Sequence, residues 1–513
     1  MLHTKRTLAA TAAAGALALT LAGCSGGAAS TSGGSASTTL TLGTIVPVTT
    51  FDAANAAWAN ESPYQQAVYD TLLHAAPDGT VQPWLATKWS YNADNTVLTM
   101  TLRSDVTFSD GTKLTAEAAA QNLLRFKAGT SPQKAYLATM QDAKAINDTT
   151  LEIDLSKPNP SLLSFLTTNC GLVENPKNFG TPNEATTPAG SGPYLLDAKD
   201  TVAGSTYVFT KNPKYWAPAQ QHYDKLVMNV YQTPTALLNA IKGGQINAGT
   251  LTDDTTIDQI KAAGYATAGE NLNFMGLLLF DRGGTMTKAL GDVRVRQAIN
   301  YALDRKSLLK AVGKGYGTVT EQIFGQQSTA YDKSLDSTYS YDPAKAKQLL
   351  QEAGYAPGSI TLTEPESSGF PPAAYSLIQQ ELSDVGIKVT YVQEGTSSFL
   401  PNALAGKYSS MLMQLKATPT TWETLTNVLL PTAGWNALHY SDPQVLAYAA
   451  QIQSGSATEA ATAAKALNKY IVDQAWFAPL YYPQQSFATD AHTSVQVQVG
   501  NAYPYLWNIQ PKK

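Results

Sequence analysis

Cysteine is almost missing from this chain: Cys24 and Cys170 are the only two in 513 residues. A fold stapled by several disulfides is excluded, and a chain of this length buries enough apolar surface to manage without them. Past residue 23 histidine occurs four times, as His74, His222, His439 and His492, far apart and in no ligand spacing. A metal site built by the protein is therefore not expected. Charged residues make up 14% of the chain, the net charge is −4, and there is no basic run. Nucleic-acid binding needs clustered Lys and Arg, so it is disfavoured. Beyond residue 24 no apolar stretch approaches the length of a membrane-spanning helix. From Thr39 onward there is neither a His-Glu-x-x-His run nor a Gly-x-Ser-x-Gly elbow. Gly313, Gly315 and Gly317 follow a helical pattern rather than a strand, the wrong order for a phosphate loop. No enzyme is expected, and no cofactor.

What is present begins at the N-terminus. Lys5 and Arg6 precede an apolar run from Leu8 to Leu21, which ends in Leu21-Ala22-Gly23-Cys24. That is the pattern of a secretory signal with a small-residue cleavage site. Its end resembles the lipobox of bacterial lipoproteins. The resemblance implies removal of residues 1–23, lipidation of Cys24, and a protein held at the outer face of the cytoplasmic membrane. Several acyl chains would hold it there stably. Residues 24–38 are mostly Gly, Ser, Ala and Thr and are expected to be a flexible tether. With Cys24 lipidated, Cys170 has no partner, and its place after Leu162, Leu163, Phe165 and Leu166 reads as a small buried hydrophobe.

At roughly 150 residues per domain the remainder allows about three domains. Tyrosine outnumbers phenylalanine 26 to 13, which suits a wet cleft. Leu40 and Leu42 open a strand. Val68, Leu72 and Leu73 predict a helix over 64–73, and residues 97–103 predict a strand. Thr115 caps a further helix. After Asp292 the apolar positions Val295, Ala298, Ile299, Ala302 and Leu303 form one helical stripe. Asp342-Pro343 opens another helix that stops at Gly354, and a third runs over 372–385 to Gly386 and feeds the alternating strand Ile387, Val389, Tyr391. Helix, glycine, strand is α/β order. A last helix with Leu467, Tyr470 and Ile471 precedes an apolar strand at 476–482.

Short blocks then accumulate in one order: Val68-Tyr69-Asp70-Thr71-Leu72-Leu73, Asp78-Gly79-Thr80, Trp84-Leu85-Ala86, and Leu102 through Gly111. Gly190-Ser191-Gly192-Pro193-Tyr194 and Asn212-Pro213-Lys214-Tyr215-Trp216 follow, then Asp292-Val293-Arg294-Val295-Arg296-Gln297-Ala298 and Tyr341-Asp342-Pro343. In this order they resemble the extracellular solute-binding proteins of ATP-driven importers, the oligopeptide/dipeptide/nickel-binding family (family 5). The resemblance covers almost all of the chain past the tether. Each block also has a local task, such as the turn at Asp110-Gly111 or a tight chain crossing at 190–194.

The resemblance implies a two-lobed α/β periplasmic-binding-protein-like fold with an extra subdomain and a hinge between the lobes. Residues 39–55, 190–272 and 478–513 would form a discontinuous first lobe, 56–189 the additional subdomain, and 273–477 the second lobe. It also implies that a peptide or peptide-like solute is captured by lobe closure and delivered to an ABC permease and its ATPase, with the binder a monomer. A secreted hydrolase of peptides or glycans, and a sensor module that presents ligand to a receptor, are the competing classes. Candidate ligand-binding residues are Tyr64, Phe274, Met275, Lys416, Trp422, Trp435 and Asn436. Peptide-binding members usually carry an aspartate in the stretch that here reads Leu415-Lys416-Ala417-Thr418-Pro419, where it pairs with the ligand's amine. No carboxylate occurs here before Glu423, which implies a ligand other than a plain free-amine peptide.

Overall fold

The computed structural model describes residues 38–251, 254–367, 370–395 and 398–512. The expected signal peptide, Cys24 and the tether up to residue 37 lie outside them. Thr39–Thr44 is the central strand of a seven-stranded sheet, with Leu40 and Leu42 fully buried. It pairs in parallel with Lys225–Val230 on one side and Ala248–Thr250 on the other. Beyond these the pairing turns antiparallel, through Thr206–Lys211 and Tyr194–Leu196 at one edge and Gln485–Thr489 and Ala266–Glu270 at the other. A second sheet of four antiparallel strands holds Gly317–Val319, Phe477–Pro483, Asn273–Leu279 and Ser410–Lys416.

Strand alternation gives the second sheet a core on each face. Leu277 and Leu279 pack on one side with Leu412, Ala298 and Ile299. Phe274, Leu278 and Phe280 pack on the other with Met411, Leu415 and Leu467. Ile360–Glu366 and Ile387–Gln393 form a parallel pair joined by the helix Pro372–Asp384, the crossover that a parallel pair requires. A third sheet, from Ala86–Tyr91, Val97–Leu102, Thr150–Leu155 and Met140–Asn147, carries the helix Ala116–Ala128. The Thr115 hydroxyl caps that helix by accepting from the Ala118 amide at 3.3 Å. Two short crossings join the first and second sheets. The chain passes from Ala266–Glu270 into Asn273–Leu279 and returns from Phe477–Pro483 into Gln485–Thr489, and the strands on each side of the crossing pair with one another.

The helix predicted over 64–73 is shorter, Ser62–Val68. Tyr69 is extended, and the chain turns away because Asp70 is wanted elsewhere. The Asp70 carboxylate, 2% exposed, accepts from Trp84 Nε1 at 2.9 Å and the Tyr215 hydroxyl at 3.0 Å on one oxygen. On the other it accepts from the Ser191 hydroxyl at 2.7 Å and Trp216 Nε1 at 3.0 Å. Burial pushes its pKa up, and the four donors pull against that shift. The glycines beside Ser191 let this segment come close to the end of the helix Ser62–Val68. A Cβ on Gly192 would lie 2.3 Å from the Val68 carbonyl carbon, and one on Gly190 2.1 Å from the Val68 oxygen. Above the tryptophans, Trp84 stacks on Trp507 with ring centroids 5.4 Å apart, and His74 meets both edge-on. Burial lowers the His74 pKa to about 4, so the ring is neutral in this apolar nest.

Two outcomes follow. Asp70→Asn replaces an acceptor with a donor facing donors, and is expected to lower unfolding free energy by about 3 kcal/mol in urea titrations. Glu364, fully buried in the strand Ile360–Glu366, accepts from the Ser410 hydroxyl at 2.6 Å. Burial raises its pKa to about 7. Its folded pKa lies above the unfolded value near 4.3, so its stabilising share is complete below that value and lost as pH rises through about 7. Glu364→Gln is therefore expected to flatten the fall in the urea midpoint between pH 5 and 8, by the equivalent of about 2 kcal/mol.

Candidate functional site

The two crossings between the first and second sheets do more than connect. Leu272 and Asn273 on one, with Pro483, Gln484 and Gln485 on the other, form one wall of a cavity of about 510 Å³. Ile45 and Leu251, which follow strands of the seven-stranded sheet, close a second side together with residues 500–502. Trp58, Asn60, Gln133 and Tyr136 close a third. Gln414 and Lys416, at the end of the edge strand Ser410–Lys416, complete it. Register explains the pairing here: Asn273 lies opposite Lys416 and Met275 opposite Gln414, so all four share one face of the sheet.

Of the seventeen described residues that line it, seven are Asn or Gln and one, Lys416, is charged. Amides offer donors and acceptors without charge, so such a wall recognises polar neutral groups. Neighbours set several of them. Asn501 Nδ2 donates to the Tyr503 carbonyl at 2.9 Å and to the Ser62 hydroxyl at 3.0 Å. Gln133 Oε1 accepts from Asn169 Nδ2 at 2.9 Å. A recess of about 40 Å³ adjoins the cavity, sharing Trp58, Tyr136, Lys416 and Asn501 and adding Glu423. Lys416 Nζ stands 3.5 Å from Glu423 Oε1, with the lysine side chain 43% and the glutamate 6% exposed. The Tyr136 hydroxyl also bonds Glu423, and burial first, then that carboxylate, raises its pKa. The Tyr136 ring is held flat on Phe165, centroids 3.9 Å apart.

Of the residues expected at the site, the structure puts Lys416 on the cavity wall. The others are elsewhere, each for a packing reason. Tyr64 is fully buried; its hydroxyl meets Thr44 Oγ1 at 2.6 Å and donates to the Val46 carbonyl at 2.9 Å, so it braces the first strand. Phe274 points to the sheet face opposite Asn273 and packs edge-on against Phe477. Met275 shares the face of Asn273 but lies two residues deeper, in the core with Leu277 and Leu480. Trp422 is buried in the core around Phe274, and Trp435 packs against that core from its edge. Asn436 is fully buried; its Nδ2 donates to the Tyr440 carbonyl at 2.8 Å and Arg282 donates to its Oδ1 at 3.3 Å. It ties a loop and does not face the cavity. Two crossings between the lobes are expected from the sequence, but Trp58, Tyr136, the crossing residues Leu272, Asn273 and 483–485, and the 500–502 loop are not among the expected site residues. They lie in short turns, loops and the first or last positions of strands, with no periodicity to mark them.

The histidines are dispersed. His222 Nε2 lies 3.1 Å from the Trp507 carbonyl, and His439 Nδ1 2.9 Å from that of Pro431. Asp52, Glu174 and Glu184 bring carboxylate oxygens within 4.8 Å of one another. Arg125 sits on them, 2.7 Å from Glu184 and 3.6 Å from Asp52, so a guanidinium supplies the counter-charge. Cys170 is a free, buried thiol that donates to the Phe165 carbonyl at 3.0 Å, and burial raises its pKa.

The chain is similar to several known proteins. The chain is 28% identical over 386 residues to the nickel-binding periplasmic protein of Escherichia coli K12, covering 69% of this chain and 71% of that one. It is 26% identical over 441 residues to the glutathione-binding protein GsiB of Shigella dysenteriae, covering 81% and 83%. The solved structure of HbpA2 from Haemophilus parasuis superposes with a TM-score of 0.82 at 20% identity, over 93% of this chain and all of that one. This likeness shows the two-lobed α/β fold. The model of the bacterial extracellular solute-binding proteins, family 5, matches residues 80–437, and the chain belongs to that family.

Proposed function

We propose that this chain is the lipid-anchored solute receptor of an ABC importer and captures a peptide or peptide-like solute by closure of two lobes. The observation that carries the reading is the cavity at the crossings. It is walled by both large sheets and by the segment around the third, so a rotation about the two crossings would open or shut it. Residues 39–55, 190–272 and 478–513 then act as the first lobe, 56–189 as the additional subdomain, and 273–477 as the second lobe. A volume of about 510 Å³ suits a small ligand. The glutathione-binding relative is named for a tripeptide, which supports a peptide-like solute here. The wall offers amides and aromatics, and Lys416, the one charged side chain among its described residues, supports binding of a polar solute. The expected product of its action is the same solute, handed intact to a permease whose ATPase drives uptake. Lipidation at Cys24 would keep a monomeric receptor near that permease and raise its effective concentration.

Native mass spectrometry of the purified protein is expected to show a small carried molecule, chemically unchanged after incubation. Small-angle scattering is expected to show compaction when that molecule is added back to stripped protein. Turnover of a peptide mixture, or no compaction with the recovered molecule, would sink the reading. Within the site, Trp58→Ala is expected to weaken binding of the recovered molecule about tenfold or more, since a large apolar wall is lost. Trp435→Phe is expected to leave affinity unchanged, because Trp435 packs on the core away from the cavity. Isothermal titration separates the two.

A further inference from the structure

We infer that the cavity reads an acidic group of its solute through Lys416 and has no place for a free ammonium, so that the solute is an N-blocked peptide or a similar amide-bearing acid. This rests on the peptide-like reading above and sharpens it.

The physical ground is the charge around the site. Among the described residues lining the main cavity there is no carboxylate, and Lys416 is the one charged side chain. Glu423 belongs to the recess behind, where it is 6% exposed and already engaged twice, by Lys416 and by the Tyr136 hydroxyl. Glu270 lies in a smaller recess that shares Leu272, Gln485, Asn501 and Ala502, and is engaged by the Asn271 amide and Gln327. A solute ammonium in the main cavity would therefore face amide groups, with both nearby carboxylates set in side recesses and already bonded. Taking a cation from water into such a place is costly. An acidic group meets the opposite situation. Lys416 has three donors on a flexible stem and is only half withdrawn from solvent. It can keep Glu423 at its back while donating to a second carboxylate in front, a charge-assisted bond of the stronger kind.

The rest of the wall fits the body of such a solute. Asn273 stands opposite Lys416 in the sheet register, and Gln414 is two residues away on the same strand and face. Gln484 and Gln485 come from the returning crossing and Asn501 from the C-terminal loop. Backbone amides of a solute present alternating N–H and C=O groups, and side-chain amides match both. The site therefore combines one point of positive charge with a neutral, bifunctional surface.

The test uses one peptide library of three to five residues in three matched forms: free at both ends, N-acetylated with a free carboxylate, and N-acetylated with a C-terminal amide. Each is offered to stripped full-chain protein and retention is read by native mass spectrometry. The N-acetylated acids are expected to be retained at least tenfold over the free-amine forms and over the doubly blocked forms. In Lys416→Met the acid and amide forms are expected to bind alike, and in Lys416→Arg the preference for the acid is expected to persist. Free-amine peptides retained as well as their blocked counterparts, or an acid preference that survives Lys416→Met, would overturn the inference while leaving a peptide receptor standing. Retention of none of the three forms would instead overturn the peptide-like reading itself, and this inference with it.

Discussion

One buried carboxylate organises the meeting of chain segments that lie far apart in sequence. Asp70 takes four hydrogen bonds, from Trp84, Ser191, Tyr215 and Trp216. These donors sit in three separate blocks of sequence, spread over some 130 residues. An ionised or neutral carboxyl with 2% exposure would be expensive alone. Fully satisfied, it fixes the approach of the 190–194 crossing to Val68, which glycines at 190 and 192 make sterically possible. The aromatic stack of Trp84, Trp507 and Tyr505 then brings the C-terminal segment onto the same spot. That segment carries the 500–502 loop, a wall of the cavity. The candidate site is thus positioned partly by a polar knot remote from it.

The cavity is likewise a product of the crossings. Two paired strands leave the seven-stranded sheet and become two paired strands of the four-stranded sheet. Their connecting residues are few, so they cannot form an independent unit and are held at the boundary. Leu272, Asn273, Pro483, Gln484 and Gln485 line the cavity for that reason. In the proposed reading, movement about these segments and access to the cavity are the same coordinate. In this arrangement a solute that bridges the walls adds contacts only in the shut state, and so shifts the population toward it.

Much of the secondary structure was legible. Asp342 with Pro343 opens the helix Pro343–Glu352, and Gly354 follows it at φ +83°. The stripe after Asp292 is the helix Val293–Ala302. Both are local: cap chemistry and a 3.6-residue period act within a dozen residues. The helix predicted over 64–73 failed where locality ended, because Asp70 is held by residues up to 146 positions away. The family was readable for a related reason, since short blocks with fixed turn and knot tasks keep their order along the chain.

The site was the least legible part. Phe274 and Met275 were one and two residues from Asn273, which is on the wall. A strand alternates its faces, so one residue exchanges cavity for core at Phe274, while Met275 keeps the face of Asn273 but lies deeper in the sheet. Trp422 and Trp435 read as a binding wall but went to the core, where their apolar area is better covered. By itself the sequence determined which segments coil, which extend, how they are capped, and to which family they belong. Only the tertiary structure decided which amides face one another across about 510 Å³ and that, among the described residues there, Lys416 is the one charge. A single Asn or Gln has no period and no partner written in its own stretch of chain. Its role exists only when segments hundreds of residues apart are brought to the same place.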